Sequence, residues 1–432
     1  MTHLRNRKLL NMLPKTAPAR QPKQQRSQIT QDRIAQATIH LLGEIGEAGL
    51  THRDVAKCAQ VSLAATTYHH ASKFDLLAHA SAVLLENYAT RFRAFASRQA
   101  ARTSDRPTFE QFLVRLLRNA AGRDRLRTIA WCEIMLIAAR NADTRALAKV
   151  WYARLRGIWT DIASLLGAST EPLRVQAAID QTIGLLFIIT SLGLTPDEAA
   201  TCFATGLDKV IAEPGSDTPD TPAPALEHAP TKRSKGRETR QQLLDAAIRL
   251  MAARGAGAVS GHSVAVEAGV APALPSYYFK PVGTLIDAAR EQLYEAARAR
   301  YRESVNGIDL ATATVDQIVD LTTAVLVREV TQFSDLNLAT LAIEVETARR
   351  PALRPVVGRW FGDRSRAWHR LLLGFDTAAP APHGLLMCSL FTGMQVRLLA
   401  TGAELAALSD LRLEFLGALD EMGYQKLFAP PT

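Results

Sequence analysis

Few residues in this chain have the types and spacing that bond-making chemistry requires. His69 and His70 are adjacent, while His369 and His383 stand alone, so none has a partner at metal-ligand spacing. Cys58, Cys132, Cys202 and Cys388 are scattered and form no Cys-x-x-Cys pair. The sequence has no glycine-rich phosphate loop and no Gly-x-Ser-x-Gly elbow. No catalytic centre, metal or cofactor is therefore expected, although an all-helical enzyme stays open as an alternative. What the chain offers instead is a dense set of hydrogen-bonding groups between Thr51 and Lys73, THRDVAKCAQVSLAATTYHHASK. Thr51, Arg53, Ser62, Thr66, Thr67, Tyr68, His69 and Lys73 could contact phosphates and base edges, and Ala64 and Ala65 are small enough to admit a close partner.

Two short helices must position these groups. Thr51 suits the cap of the first, with Asp54 three residues on as the acidic member of a capping box. Val55 and Ala59 share one apolar face. Gln60-Val61-Ser62 interrupts the pattern, and Ser62 can cap a second helix from Leu63 to about His69. Two such helices joined by a tight turn form a helix-turn-helix, whose second helix reads the major groove of DNA. A helical hairpin packed inside some other all-α protein fits the same pattern.

The stretch returns as Ser260 to Val282, SGHSVAVEAGVAPALPSYYFKPV, at an offset of 209 residues. The same offset pairs Gly46 with Gly255, Tyr68 with Tyr277 and Arg140 with Arg349. It also pairs Trp151 with Trp360, Trp159 with Trp368, Gly184 with Gly393 and Gly193 with Gly402. One register without insertion or deletion implies a tandem duplication of a domain-sized unit.

The repeated stretch resembles the DNA-binding domain of the TetR (tetracycline-repressor) family. The first copy carries Thr51, Asp54-Val55-Ala56, Ala59-Gln60-Val61-Ser62, Tyr68-His69-His70, Ser72-Lys73 and Leu76-Leu77. The second carries Ser260, Ala268-Gly269-Val270, Tyr277-Tyr278-Phe279 and Leu285-Ile286. The likeness spans about fifty residues per copy, and the remainder matches only in its helical character. It implies a double-stranded DNA operator as partner and a small-molecule effector, bound beside a long helix that joins each DNA head to a sensor domain. It also implies that the last two large helices of each unit form a dimerisation face. His70 stands where the family has Phe, which either loosens the packing behind the reading helix or adds a phosphate donor.

Composition agrees with an all-α fold: 47% of the 432 residues are apolar, and Ala and Leu dominate. The net charge of +9 is concentrated. Residues 1–33 carry +7 and residues 232–240 carry +4, and each basic stretch directly precedes a helix-turn-helix. Basic arms so placed could contact phosphates or enter a minor groove, with strong salt dependence, or could be solvated tails. The cysteines read as reduced, mostly buried thiols. The longest apolar run, Ile183 to Leu194, is short for a membrane span, and no secretory signal is seen, so a soluble cytoplasmic protein with no membrane partner is expected.

The domain plan follows. A basic arm occupies residues 1–27, the first head 28–72, the first sensor domain 73–211, a Pro-rich linker 212–236, a divergent second head 237–281 and the second sensor domain 282–432. In the first sensor domain, the resemblance and the helical spacing nominate Tyr88, Phe109, Phe112, Leu116, Trp131 and Met135 for an effector pocket, with Glu133 as a polar anchor. Tyr294, Leu321, Val325, Glu344 and Val345 are the second copy's candidates. Aromatic and apolar groups at such spacing also suit plain core. In the second head, Pro275 should disturb a reading helix expected over Ala271–Phe279, and no Arg or Lys lies between Arg254 and Lys280. Ser276, Tyr277, Tyr278 and Lys280 remain as DNA contacts. Two unlike heads favour an intrachain pseudo-dimer on a non-palindromic operator. A homodimer of chains, and a sensor or interaction module whose second head has lost DNA, are the rival arrangements.

Overall fold

The computed structural model describes residues 23–102, 104–211, 233–280, 282–305 and 313–424. The basic arm up to Pro22 and the linker from 212 to 232 lie outside the described residues. The first half runs α1 (Lys23–Ile45), α2 (His52–Ala59), α3 (Leu63–His69), α4 (Lys73–Ala100), α5 (Phe109–Ala121), α6 (Arg125–Arg140), α7 (Arg145–Leu165), α8 (Pro172–Leu192) and α9 (Pro196–Thr205). The second half runs α10 (Arg233–Arg254), α11 (Gly261–Ala268), α12 (Leu274–Tyr278), α13 (Val282–Val305), α14 (Val315–Thr331), α15 (Ser334–Thr347), α16 (Arg354–Phe375), α17 (Ala381–Thr401), α18 (Leu405–Ser409) and α19 (Leu411–Glu421). Among the described residues there is no strand, so the fold is all-α.

Local chemistry sets the helix starts. The Ser62 hydroxyl accepts from the Ala65 amide at 3.0 Å, and Ser72 with Asp75 forms a reciprocal capping box on α4. Thr51 caps α2 as expected, but its hydroxyl donates to the Asp54 carboxylate at 2.5 Å, so the acidic group turns to the hydroxyl. Pro355 and Pro382 are residues that would break a helix interior. They lie instead in the first turns of α16 and α17, where an amide hydrogen has no helical partner to lose.

The two halves pack chiefly through α8 on α17, with α7 and α16 alongside. The contacts come in reciprocal pairs, as a two-fold interface requires. Gly184 lies against the backbone of Ser389, and Gly393 against that of Asp180; a Cβ at either glycine would overlap a carbonyl of the facing helix. Whole helices α8 and α17 are long and apolar enough to cross a membrane, a length that the apolar run from Ile183 understates, and most of that surface is buried inside the protein.

One buried ionic group breaks the symmetry of this seam. Arg397 on α17 bonds Asp180 on α8 at 2.7 Å and also pairs with Glu414 on α19. All three are buried. Burial raises the proton affinity of both carboxyls, and the guanidinium opposes it. The matched charge exists only where a first half faces a second half. The position equivalent to Arg397 is Ile188 and that equivalent to Asp180 is Ser389, so two first halves would leave Asp180 without this guanidinium, and two second halves would leave Arg397 with Glu414 of its own half alone.

Breaking one member of a buried ion group costs about 3–5 kcal/mol, because the partner charge stays buried. Arg397→Met should lower the free energy of unfolding by that order in urea titration. Adding Asp180→Leu and Glu414→Leu should recover most of it.

Candidate nucleic-acid interface and ligand cavity

The first head is built on α1, which packs on α2, α4 and α6. Val55 and Ala59 of α2 are buried, which turns α3 outward. On α3, Ala64, Thr67 and Tyr68 are exposed, Tyr68 at 85%, and Leu63 is also open at 45%. Thr51, Arg53 and Ser62 are exposed beside them, and Ala65 is half-buried. Three expected contacts are drawn elsewhere. Thr66 is fully buried and its hydroxyl donates to the Leu63 carbonyl at 2.7 Å, because its place on the helix faces the core. His69 pairs with Gln31 at 3.3 Å, and Lys73 donates to the Glu47 carbonyl at 2.6 Å.

His70 faces inward. It is 5% exposed and stacks on His79 with ring centroids 5.0 Å apart and ring nitrogens at 2.9 Å, so it offers no phosphate donor. The second head has Phe279 and Ala288 at the equivalent positions, with Arg240 over the Phe279 ring at 5.1 Å. Burial and the neighbouring imidazole hold His70 below its ordinary value, and burial lowers His79 too. The turn before α3 carries a further departure: Gln60 sits at φ 54°, where the second head has Gly269 at φ 66°. A side chain in this left-handed region costs on the order of 1 kcal/mol.

The second head differs as its proline suggests, but by another route. The reading helix is shortened, not bent: α12 begins at Leu274, which puts Pro275 in the first turn. Ser276, Tyr277 and Lys280 are exposed, Tyr277 at 75%, and Tyr278 is half-buried.

Below the first head, helices α4 to α8 enclose a cavity of about 420 Å³. Tyr88, Phe112, Leu116 and Trp131 of the nominated residues line it, joined by Trp151, Leu155, Trp159 and Ile183. Burial pushes the Tyr88 phenol up to about 12. Phe109 is not a lining residue and packs on Phe112 and Trp159. Met135 is core and does not line the cavity, one helical turn beyond Trp131 on α6. Glu133 is no anchor for a ligand: it pairs with Arg349 of the other half at 2.8 Å. Sequence spacing missed the arginines at the cavity, Arg91, Arg98, Arg115, Arg123 and Arg127, which come from α4, α5, the turn after α5 and the start of α6.

The second half fills the equivalent space. Arg300 makes a two-pronged pair with Glu329 at 2.8 and 2.9 Å, Asn337 bonds Glu329, and Gln395 bonds Asn337. The first half has Ala120, Thr128 and Leu186 in place of Glu329, Asn337 and Gln395. Glu344 is buried against Arg364 at 3.0 Å, where the first half has Met135 and Leu155. Tyr294 stacks on Trp360 and bonds Asp363, while Leu321 and Val325 are half-buried and Val345 is core.

Helix α6 connects the cavity to both heads. Arg140, at its end, donates to the Ala252 carbonyl of α10 at 3.1 Å. Arg349, held by Glu133 of α6, donates to Gly43 and Leu42 of α1 at 3.2 and 2.8 Å. Each arginine thus satisfies the open carbonyl end of the other half's head helix.

The sequence family described as tetracyclin repressor-like, C-terminal domain, matches residues 104–213 and again residues 313–421, half of the chain in all. The chain belongs to the TetR-like family. Both matches fall on the helices that follow a head, so the fold is two tandem TetR-like units. None of the curated proteins compared with the chain matches it.

The His70–His79 pair gives this TetR-like head a pH dependence. Depressed folded-state values mean that the unfolded chain binds more protons as pH falls through the ordinary histidine value near 6.5. Stability is full above that pH and is lost below it. A thermal melt at pH 5.5 against pH 7.5 should show the drop, and His70→Phe with His79→Ala should flatten it. Gln60→Gly should raise the melting temperature at both pH values, by relieving the left-handed residue.

Proposed function

We propose that this protein is a cytoplasmic, ligand-responsive DNA-binding regulator, a repressor by its family logic, that works as an intrachain pseudo-dimer. The heads are residues 28–72 and 237–281, and the sensor domains 73–211 and 282–432. The observation that carries the reading is the pair of heads joined by α6 to one open cavity. Exposed Tyr68, Thr67, Ala64 and Leu63 are a surface suited to the major groove, where apolar groups can meet the thymine methyl and hydroxyls the base edges. The shortened α12 offers Tyr277, Ser276 and Lys280 mainly for backbone contact. Unlike heads favour a non-palindromic operator.

The seam supports pairing of a first unit with a second, since Asp180 meets the buried Arg397 only there, and one chain supplies both units. Induction then works by differential affinity: a ligand that favours one position of α6 biases the distance between the heads, and DNA favours another. No bond is made or broken in this scheme, and the protein has no enzymatic role.

A gel-shift and footprint on the DNA flanking the coding region, at two salt concentrations, tests the reading. Tyr68→Ala should abolish the footprint and Tyr277→Ala should shorten it on one side. A protein that binds that DNA no better than unrelated DNA would sink it. If Tyr277→Ala leaves the footprint unchanged, the second unit serves as sensor and pairing lobe alone. Arg140→Ala should keep DNA affinity within a few-fold while weakening ligand-driven release, because the α6 contact to α10 is lost.

A further inference from the structure

The cavity's charged groups are mostly cationic, beside the neutral Tyr88, Asn119, Thr128 and Thr182. Trp131 lines it, is 4% exposed, and its indole N–H meets no acceptor in the protein. A buried donor without an acceptor is costly unless something else supplies one. Five arginines join the lining, against one carboxylate, Asp124. Asp124 is already shared by Arg91 at 2.7 Å, Arg127 at 3.2 Å and Arg123 at 3.6 Å. Arg98 and Arg115 have no ion-pair partner among the described residues, and both are exposed at the lining. The rest of the wall is aromatic and aliphatic: Phe92, Phe95, Phe112, Trp159 and Ile183.

The second half keeps one of the five arginines, Arg300 in place of Arg91, and that one is paired with Glu329. Ala324, Gln332 and Leu336 stand where Arg115, Arg123 and Arg127 do, and Thr340 stands for Trp131. The equivalent interior is closed by the Arg300–Glu329 pair. Among the described residues, the arginine-rimmed aromatic interior therefore belongs to the first unit.

We propose that the effector is an organic anion with an apolar, ring-bearing body, bound once per chain in the first unit. Its body lies among Phe112, Trp131 and Trp159. Its anionic head lies at Arg98 and Arg115. The proposal rests on the regulatory reading of the cavity, since a cavity with no effector needs no such complementarity. It narrows that reading from apolar ligands in general to anions, because a neutral ligand would leave the two guanidinium groups without a counter-charge.

Calorimetry on the full-length chain with 4-phenylbutyrate, 4-phenylbutanol and 4-phenylbutylamine tests the proposal. The three probes share one body and differ in the charge of the head. The acid should bind at least about tenfold tighter than the alcohol, at one site per chain, and the amine weakest, since charge-assisted bonds are worth that much or more. Arg98→Met with Arg115→Met should erase the preference for the acid while leaving alcohol affinity unchanged. Trp131→Phe should weaken the acid and keep the preference. Phenyl phosphate in a parallel titration separates a phosphate head from a carboxylate head, and tighter binding of either anion than of the alcohol supports the proposal. Equal binding of the three phenylbutyl probes, preference for the amine, binding at two sites, or no binding of any probe overturns it. DNA release is read separately by gel-shift: an acid that binds the cavity and leaves the DNA complex intact upholds the ligand class and overturns the regulatory reading.

Discussion

The contact of α8 with α17 is the constraint on which the rest of the structure depends. Glycines at matching positions let the two backbones touch, and the buried Arg397 fixes which half may face which. A guanidinium taken out of water must find a counter-charge, and here Asp180 of the opposite unit supplies part of it. The duplication therefore produces more than two copies side by side. The copies have diverged at Ile188/Arg397 and Asp180/Ser389, so that each is the other's complement.

That pairing sets the relation between cavity and heads. With the halves locked, the end of α6 reaches α10, and Arg349 reaches α1 through Glu133. The two arginines are equivalent by register and make the same contact in opposite directions. Their carboxylate support differs: Arg349 has Glu133 and Glu346, while Arg140 leans on Glu47 at 3.4 Å. The arginine-rimmed cavity borders α6, the helix that links to both heads.

The two units have specialised by filling or opening the same volume. Replacing Ala120, Thr128 and Leu186 with Glu, Asn and Gln turns an apolar hollow into a bonded network that needs Arg300 to neutralise it. The head follows the same rule on a smaller scale, since Phe with Ala in one copy becomes His with His in the other at similar bulk. These changes alter polarity and, in the interior, the open volume, which is how a duplicated unit can keep its fold while its binding properties separate.

Much of the local structure was legible in the sequence. Caps such as Ser62 and Ser72, the apolar spacing of Val55 and Ala59 and the constant offset between copies depend on neighbours a few residues away, and α3 lies where they place it. Tyr88, Phe112, Leu116 and Trp131 could be nominated because one face of each helix is apolar. What spacing could not supply was the partner of each polar group. Glu133 reads as a lone anchor on an apolar helix until Arg349, over two hundred residues away, is brought against it. Thr66 reads as a DNA contact until the tilt of α3 turns it to the core. The matched pair Arg140 and Arg349 was visible as a coincidence of register, but its meaning lay in the carbonyls of the opposite head. The sequence by itself determined the helices and their duplication, because those rest on short-range hydrogen bonds and periodicity. Only the tertiary structure decided which faces meet, which charges pair and which of two equivalent interiors stays open, because those depend on volume and charge summed over segments far apart in the chain.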